Sequence, residues 1–129
     1  GEKRMERINT EKAPAAIGPY SQAVEHNGII YVSGQLPIVP ETGGFAEGGI
    51  GELTRQSIKN IAAILEEAGS DITQVLKTTI YLQDMKDFTE VNEAYAEFFG
   101  ETAPARACVQ AAALPKGARI EIEVTAYKE

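Results

Sequence analysis

Val75-Leu-Lys-Thr-Thr-Ile-Tyr-Leu82 is the stretch around which the fold of this chain is predicted. It is rich in β-branched and aromatic residues, which favour strands, and successive side chains of a strand point to opposite faces. Its odd-numbered residues therefore share one face and its even-numbered residues share the other. Because helical patterns precede and follow it, we predict a central strand of a sheet.

Helical segments flank this strand. From Gly51 to Ala68, apolar residues recur near a 3.6-residue period, and Gly69 supplies a C-terminal stop. After the strand, Asp87 is predicted to cap a second helix and to form a capping box with Glu90. The apolar stripe of this helix consists of Phe88, Val91, Tyr95, Phe98 and Phe99. Each helix thus has one apolar face with which to cover the sheet.

The N-terminal part of the chain has the pattern of antiparallel strands. Residues 4–9 alternate weakly and predict an edge strand. Ser21 to His26 and Ile29 to Ser33 flank Asn27-Gly28, the pair that best tolerates the positive φ angles of a type I′ turn. Residues 34–49 are rich in Gly and Pro and predict a loop. A hairpin therefore leads towards the first helix.

Two further alternating stretches near the C-terminus, residues 104–110 and 114–124, predict strands. The order strand, hairpin, helix, strand, helix, strand, strand predicts an α+β fold, a mixed sheet with both helices on one face. We expect one domain over residues 1–129, with residues 1–4 disordered or a cloning remnant. The bare face of such a sheet is usually covered by another subunit.

The composition disfavours several classes of function. Twelve Lys and Arg against nineteen Asp and Glu give a net charge of −7, which opposes nucleic-acid binding through phosphate neutralisation. Cys108 is the one cysteine of the sequence, so no intramolecular disulfide forms and a cytoplasmic location is expected. No stretch approaches the roughly 18 apolar residues of a membrane span. With one His and one Cys, no metal centre is expected.

The two C-terminal stretches carry the residues of greatest functional interest. Period-two alternation puts Arg106, Cys108 and Gln110 on one side of the first strand. It puts Glu121 and Glu123 on one side of the second. A guanidinium binds a carboxylate through two parallel hydrogen bonds, and a buried glutamate that holds water can move a proton. We expect the two strands to present this pair on one sheet face, where it would suit an anionic substrate.

Each of these residues also has an ordinary structural interpretation. Arg106 can form a surface ion pair, and Glu121 and Glu123, which spacing does not distinguish, can both face solvent. Cys108 as a nucleophile would need an activating histidine, and His26, beside the hairpin turn, is expected to be exposed. The backbone groups of Cys108 are therefore as relevant as its sulfur.

Other polar candidates lie near strand ends and on the second helix. Ser33-Gly34 comes at the exit of a strand, where glycine lets a ligand approach the backbone closely. Tyr20 precedes the hairpin, and Asn92 lies inside the second helix, where it would ordinarily be exposed. The residues alone leave the roles of these positions open.

Motifs spread over nearly the whole chain add a resemblance. They are Ala13-Pro-Ala-Ala-Ile-Gly-Pro-Tyr20-Ser-Gln-Ala, Val32-Ser-Gly-Gln-Leu-Pro37, Lys77-Thr-Thr, Phe88-Thr-Glu-Val-Asn92, Pro104-Ala-Arg106-Ala-Cys108-Val and Leu114-Pro115 with Ile120-Glu121-Ile-Glu123. Each is weak alone, but together they are highly specific. The chain resembles the Rid family, also called YjgF/YER057c/UK114, and within it the enamine/imine deaminase branch.

This resemblance implies a chorismate-mutase-like fold and a homotrimer with sites between subunits. It implies hydrolysis, without a cofactor, of 2-imino acids, the tautomers of 2-aminoacrylate and 2-aminocrotonate, to 2-keto acids and ammonia. The implied catalytic residues are Glu121, Arg106 and Cys108, and the implied substrate-binding residues are Arg106, Tyr20, Ser33, Gly34 and Asn92. The resemblance thus selects Glu121 over Glu123. Arg106 is the discriminating position, because branches without it are not expected to hydrolyse such imines.

Two other functions stay open at this point. Proteins of this family have also been labelled single-strand endoribonucleases and translation inhibitors, which the acidic charge and the lack of a His-based acid/base pair disfavour here. A binding or regulatory module could use the same cleft to sense small carboxylates without turnover.

Overall fold

The computed structural model describes residues 4–129, which form one mixed sheet with two α-helices. The strands are β1 (Glu6–Ile8), β2 (Ala23–His26), β3 (Ile29–Gln35), β4 (Val75–Leu82), β5 (Ala105–Gln110) and β6 (Ile120–Tyr127). The α-helices are α1 (Ile50–Glu67) and α2 (Phe88–Phe99). Across the sheet the order is β1-β2-β3-β6-β4-β5; β4 and β5 run parallel, and the other neighbouring pairs are antiparallel.

The predicted α+β class is confirmed, and β4 lies inside the sheet with β6 on one side and β5 on the other. Asn27 and Gly28 have φ angles of 54° and 81°, as the hairpin turn requires. The strand expected over residues 4–9 is shorter, and β3 continues to Gln35, into the predicted loop. The expectation for residues 1–4 falls mostly outside the described part of the chain, which begins at the exposed Arg4.

The capping box predicted at the start of α2 is wrong. Asp87 is the N-cap residue, but its side chain makes no capping hydrogen bond. A short 3₁₀ turn, Met85–Asp87, precedes the helix, and the Asp84 side chain accepts a hydrogen bond from the backbone N–H of Lys86. Because this turn already provides the entry into α2, the Asp87 carboxylate is left to pair with Arg119 at 3.0 Å.

The core lies between the two helices and one face of the sheet. The large side chains it buries completely include Ile58, Ile61 and Leu65 of α1, Phe99 of α2, and Ile30, Ile80 and Ile122 of the sheet. Burying an aliphatic or aromatic side chain of this size contributes about 1.5–3 kcal/mol. In contrast, the opposite face leaves Tyr31 and Val109 51% and 44% exposed, and we call it the open face.

No helix in residues 4–129 combines the length and apolar character needed to cross a membrane.

Candidate active site

The register of the sheet separates Arg106 from Glu121, the two residues that the sequence analysis expects on one sheet face. Arg106 of β5 is opposite Thr78 of β4, and Glu121 of β6 is opposite Tyr81 of the same strand. Because Thr78 and Tyr81 are three residues apart, their side chains point to opposite faces. Arg106 therefore lies on the helix-covered side and Glu121 on the open face. The expectation that they share one sheet face is wrong for a single chain.

Arg106 lies at the sheet edge with Asn92 and Cys108, and we call these three residues the edge half-site. The Arg106 Nη1 donates a hydrogen bond to Asn92 Oδ1 at 2.6 Å. Its guanidinium carbon lies 5.5 Å from the centre of the Phe88 ring and 5.0 Å from that of Tyr95. Both distances lie within the range of cation–π attraction. Phe88, Asn92 and Tyr95 fall at helical spacing, so one side of α2 holds the guanidinium.

The ring beneath Arg106 is itself fixed. The hydroxyl groups of Tyr95 and Thr78 lie 2.7 Å apart in a buried hydrogen bond, and the ring centres of Tyr95 and Phe99 are 4.7 Å apart. Burial raises the pKa of Tyr95, so its hydroxyl stays protonated at neutral pH. Arg106 is exposed and forms no ion pair with any residue of the described chain, which leaves its charge available to an anion.

Cys108 is half-buried against the core, on the same side of β5 as Arg106. Burial raises the pKa of its thiol, and the nearby charge of Arg106 lowers it only in part. A thiol with a raised pKa is a poor nucleophile, so this site favours a role for the Cys108 backbone. The strand supports that role, because β5 is the last strand of the sheet and one edge of it faces no strand within the described residues.

Glu121 lies at a cavity of about 830 Å³ with Tyr20, Ser33 and Gly34, and we call these four residues the cavity half-site. The β3 register against β6 shifts between Val32 and Gln35, so Ser33 and Gly34 leave the regular pairing beside Glu121. Apolar side chains form much of the remaining wall: Ile17, Leu36, Ile38, Pro40 and Pro115. The cavity thus combines one carboxylate with an apolar lining.

Gly34 is required by the position of Glu121. A Cβ atom on Gly34 would lie 2.8 Å from the Glu121 Cδ atom, closer than real Cβ contacts allow. The Ser33 hydroxyl donates to the Ser21 carbonyl at 2.6 Å, and the Ser33 N–H donates to the Gln22 carbonyl at 2.9 Å. Ser33 therefore ties β3 to the segment that carries Tyr20, rather than presenting a free hydroxyl.

The charge of Glu121 is disfavoured where it lies. Burial raises the pKa of its carboxyl, and the like charge of Glu123 raises it further. Glu123 is exposed, does not line the cavity, and accepts a hydrogen bond from the Tyr81 hydroxyl at 2.9 Å. The tertiary structure therefore distinguishes two glutamates that spacing alone leaves equal. Glu121 has the surroundings of an acid/base group.

Gln22 and Lys116 also line the cavity, although neither is among the site residues predicted from the sequence. Gln22 is buried, and its amide donates to the carbonyls of Ala13 and Pro14 at 3.2 and 2.8 Å, which holds the loop that forms one wall. Lys116 lines the cavity with a φ of 58°, a left-handed conformation uncommon for lysine. A buried glutamine leaves no periodic signal. The turn at Lys116 lies inside the strand predicted over residues 114–124, which is wrong before Ile120, because residues 115–117 form a 3₁₀ turn and β6 begins only at Ile120.

Residues 10–128 match the family model described as Endoribonuclease L-PSP. The chain belongs to the endoribonuclease L-PSP (Rid) family. This confirms the family that the sequence motifs resemble.

Relatives in the L-PSP family are similar over almost the entire chain. A RutC family protein of Pyrococcus abyssi is 54% identical over 96% of this chain and 98% of its own length. Human 2-iminobutanoate/2-iminopropanoate deaminase is 53% identical, over 94% of this chain and 88% of its own. The structure of Escherichia coli TdcF with bound serine has a TM-score of 0.91 and 38% identity, covering 96% of this chain and 99% of that one. The L-PSP fold is therefore shared along the full sheet and both helices.

Proposed function

We propose that this chain is a 2-iminobutanoate/2-iminopropanoate deaminase, which hydrolyses short 2-imino acids to 2-keto acids and ammonia. The observation that carries the proposal is the chemistry of the two half-sites. One presents an arginine that forms no ion pair within residues 4–129 and is fixed by Asn92 and two aromatic rings. The other presents a glutamate whose pKa is raised, beside an apolar cavity. A carboxylate clamp and a proton acceptor are the two parts that imine hydrolysis needs.

The reaction requires no covalent intermediate. In the proposed mechanism, Arg106 binds the substrate carboxylate, and Glu121 accepts a proton from a water as its oxygen attacks C2 of the C=N bond. With the imine nitrogen protonated at the start, the product of this attack is a neutral carbinolamine, whose nitrogen takes the proton back from Glu121. The C–N bond then breaks, ammonia leaves, and Glu121 accepts the hydroxyl proton as the C2 carbonyl forms. Positioning and proton transfer are enough because the imine carbon is already electrophilic. Backbone groups of Cys108 and Gly34 would bind the imino nitrogen and the water, and Tyr20 would close the wall.

The proposal also requires an assembly. Since one chain holds its half-sites on opposite faces of the sheet, the edge half-site of one subunit must meet the cavity half-site of another. An interface between two different surfaces closes into a ring when the rotation between neighbouring subunits allows it, and we propose that this ring is a homotrimer. The exposed edge strand β5 and the apolar side chains of Tyr31 and Val109 on the open face support such contacts.

Two of the relatives support this choice of substrate. The human relative bears the deaminase name, whereas the Pyrococcus relative bears only a family name. The Escherichia coli relative holds serine. Serine carries an α-carboxylate and an α-nitrogen, the two groups of a 2-imino acid that the proposed mechanism binds through Arg106 and through backbone groups.

The direct test is an assay of keto-acid release from 2-iminopropanoate and 2-iminobutanoate generated in situ. Arg106→Ala should lower kcat/KM roughly 10- to 150-fold, since a charge-assisted hydrogen bond contributes about 1.5–3 kcal/mol. Arg119→Ala, which removes a surface arginine paired with Asp87, is the matched control and should keep wild-type activity. Full activity in Arg106→Ala would refute the role of Arg106 in binding the substrate carboxylate. Tight keto-acid binding that depends on Arg106 without any turnover would instead indicate a sensor.

The name of the family model makes ribonuclease activity the second candidate. The single histidine, His26, is exposed in the β2–β3 hairpin, at the end of the sheet opposite to Glu121. An acid/base pair with histidine is therefore not formed with Glu121 in one chain. RNA cleavage that persists in Arg106→Ala and Glu121→Gln would favour a site elsewhere on the protein.

A further inference from the structure

Glu123 and Tyr81 form a hydrogen-bonded pair directly beside Glu121. Glu121 and Glu123 are alternate residues of β6, so both side chains point to the open face. Tyr81 is opposite Glu121 in the sheet, yet its hydroxyl donates to Glu123 Oε1 at 2.9 Å. The Tyr81 side chain therefore leans along the strand direction: its backbone is opposite Glu121, but its hydroxyl reaches the carboxylate of Glu123.

The proposed mechanism gives this pair no contact with substrate. Neither Tyr81 nor Glu123 lines the cavity, whereas Glu121 does. Glu121 and Glu123 are two residues apart on one strand and one face, so the like charge of Glu123 disfavours the charged form of Glu121 without contact. The hydrogen bond to Glu123 is the main cause of a raised pKa at Tyr81, so the phenol keeps its proton and remains a donor.

We propose that the Tyr81–Glu123 pair positions a like charge that adds to burial in favouring the protonated form of Glu121. Glu123 supplies a like charge on the same face, and the Tyr81 hydroxyl draws off part of that charge through its hydrogen bond. Glu123 thus favours the protonated form of Glu121, and Tyr81 limits how strongly it does so. Both are positioning residues, and the consequence for catalysis rests on the proposed function.

Other ionisable groups face Glu121 from the elements around it. Tyr20 and Lys116 line the same cavity from the loop before β2 and the turn before β6. On the open face, Lys77 of β4 and Tyr31 of β3 both lie in the row of Thr125, which is two residues beyond Glu123 in β6. In the proposed trimer, Arg106 of the adjoining subunit would be a further group. Substitutions of Tyr81 and Glu123 leave all of these in place.

The two members of the pair predict shifts of opposite sign. The side-chain carboxyl of Glu121 is followed by ¹³C NMR during a pH titration, with its signal assigned through Glu121→Gln. Glu123→Gln should move the midpoint to lower pH and raise the ionised fraction below it roughly two- to fivefold, from a like-charge interaction of about 0.4–1 kcal/mol. Tyr81→Phe keeps the ring and should move the midpoint to higher pH. The double variant should follow Glu123→Gln, because the hydroxyl then has no charge to share.

The acid limb of the kcat/KM profile for imine hydrolysis should move in the same order in these variants, while Glu101→Gln, an exposed residue after α2, should leave it unchanged. The NMR titration tests the coupling to Glu121 separately from the proposed deaminase function, because it needs no turnover. Shifted midpoints in a protein that hydrolyses no imine would refute the proposed function and retain the coupling. An unmoved Glu121 midpoint in Glu123→Gln, or shifts of the same sign in both single variants, would overturn the coupling.

Discussion

Arg106 and Glu121 lie on opposite faces of the same sheet, although each is in register with strand β4. Arg106 pairs with Thr78 under α2, and Glu121 pairs with Tyr81 on the open face. A substrate that contacts both side chains therefore has to lie between two chains. The proposed active site is therefore also a proposed interface between subunits. This arrangement can be tested without a structure of the oligomer.

Mixed oligomers of two impaired variants should regain activity. Arg106→Ala and Glu121→Gln each impair one half-site, so either homo-oligomer is expected to retain at most about a tenth of wild-type activity. In a ring assembled at random from equal amounts, about a quarter of the sites combine an intact Arg106 with an intact Glu121. Co-expressed and co-purified variants should therefore show about a quarter of wild-type keto-acid release. If recovery is absent although mass spectrometry shows mixed oligomers, both residues act within one subunit or not at all.

Asn92 should affect activity through the orientation of Arg106. Asn92→Ala removes the 2.6 Å hydrogen bond but leaves Phe88 and Tyr95 under the guanidinium. We expect a two- to tenfold loss of kcat/KM, from a net contribution of roughly 0.5–1.5 kcal/mol. Asn92→Asp is nearly the same size but should cost more, because its carboxylate would occupy the guanidinium and compete with substrate. A larger loss in Asn92→Ala than in Asn92→Asp would contradict this role.

Gly34→Ala should abolish activity with little loss of stability. The new methyl would lie against the Glu121 carboxylate, and the flexible end of that side chain can move away. The displaced carboxylate no longer reaches the water, so keto-acid release should fall at least as far as in Glu121→Gln. Gly44→Ala is the matched control, since its methyl would meet Thr42 Oγ1 at an ordinary 3.8 Å. Urea denaturation measures the stability, and the imine assay measures the activity. An active Gly34→Ala variant would show that the added methyl does not displace the Glu121 carboxylate.

Glu121→Gln should be more stable than the wild type at neutral and alkaline pH. Burial and Glu123 raise the pKa of Glu121 above its ordinary value of 4.5, so the folded protein retains a proton that the unfolded chain has released. Wild-type stability therefore falls as pH rises from the ordinary to the raised pKa. Glutamine avoids this loss, and the gain should vanish below about pH 4.5. Urea denaturation of both proteins across this window is the measurement; a gain independent of pH would point to another cause.

Much of the fold follows from local patterns. The alternation of residues 75–82, the apolar stripe of α2 and the Asn27-Gly28 turn each depend on neighbours in the chain, and each element forms where it was predicted. The failed prediction at Asp87 has the same origin. Its spacing to Glu90 satisfies a capping box. In the structure, however, a 3₁₀ turn leads into α2, and the Asp87 carboxylate pairs with Arg119, which is distant in the sequence.

The candidate site likewise has one part that local sequence patterns predict and another that depends on the tertiary structure. Sequence alone determined that Arg106, Cys108 and Gln110 share one side of a strand, and that Glu121 and Glu123 share one side of another, because alternation is a property of a single strand. Only the tertiary structure decided that these two sides face in opposite directions. That outcome depends on β5 running parallel and β6 antiparallel to β4, each in its own register. Pairing between strands far apart in the chain is fixed by the packing of the whole core, and no local period records it.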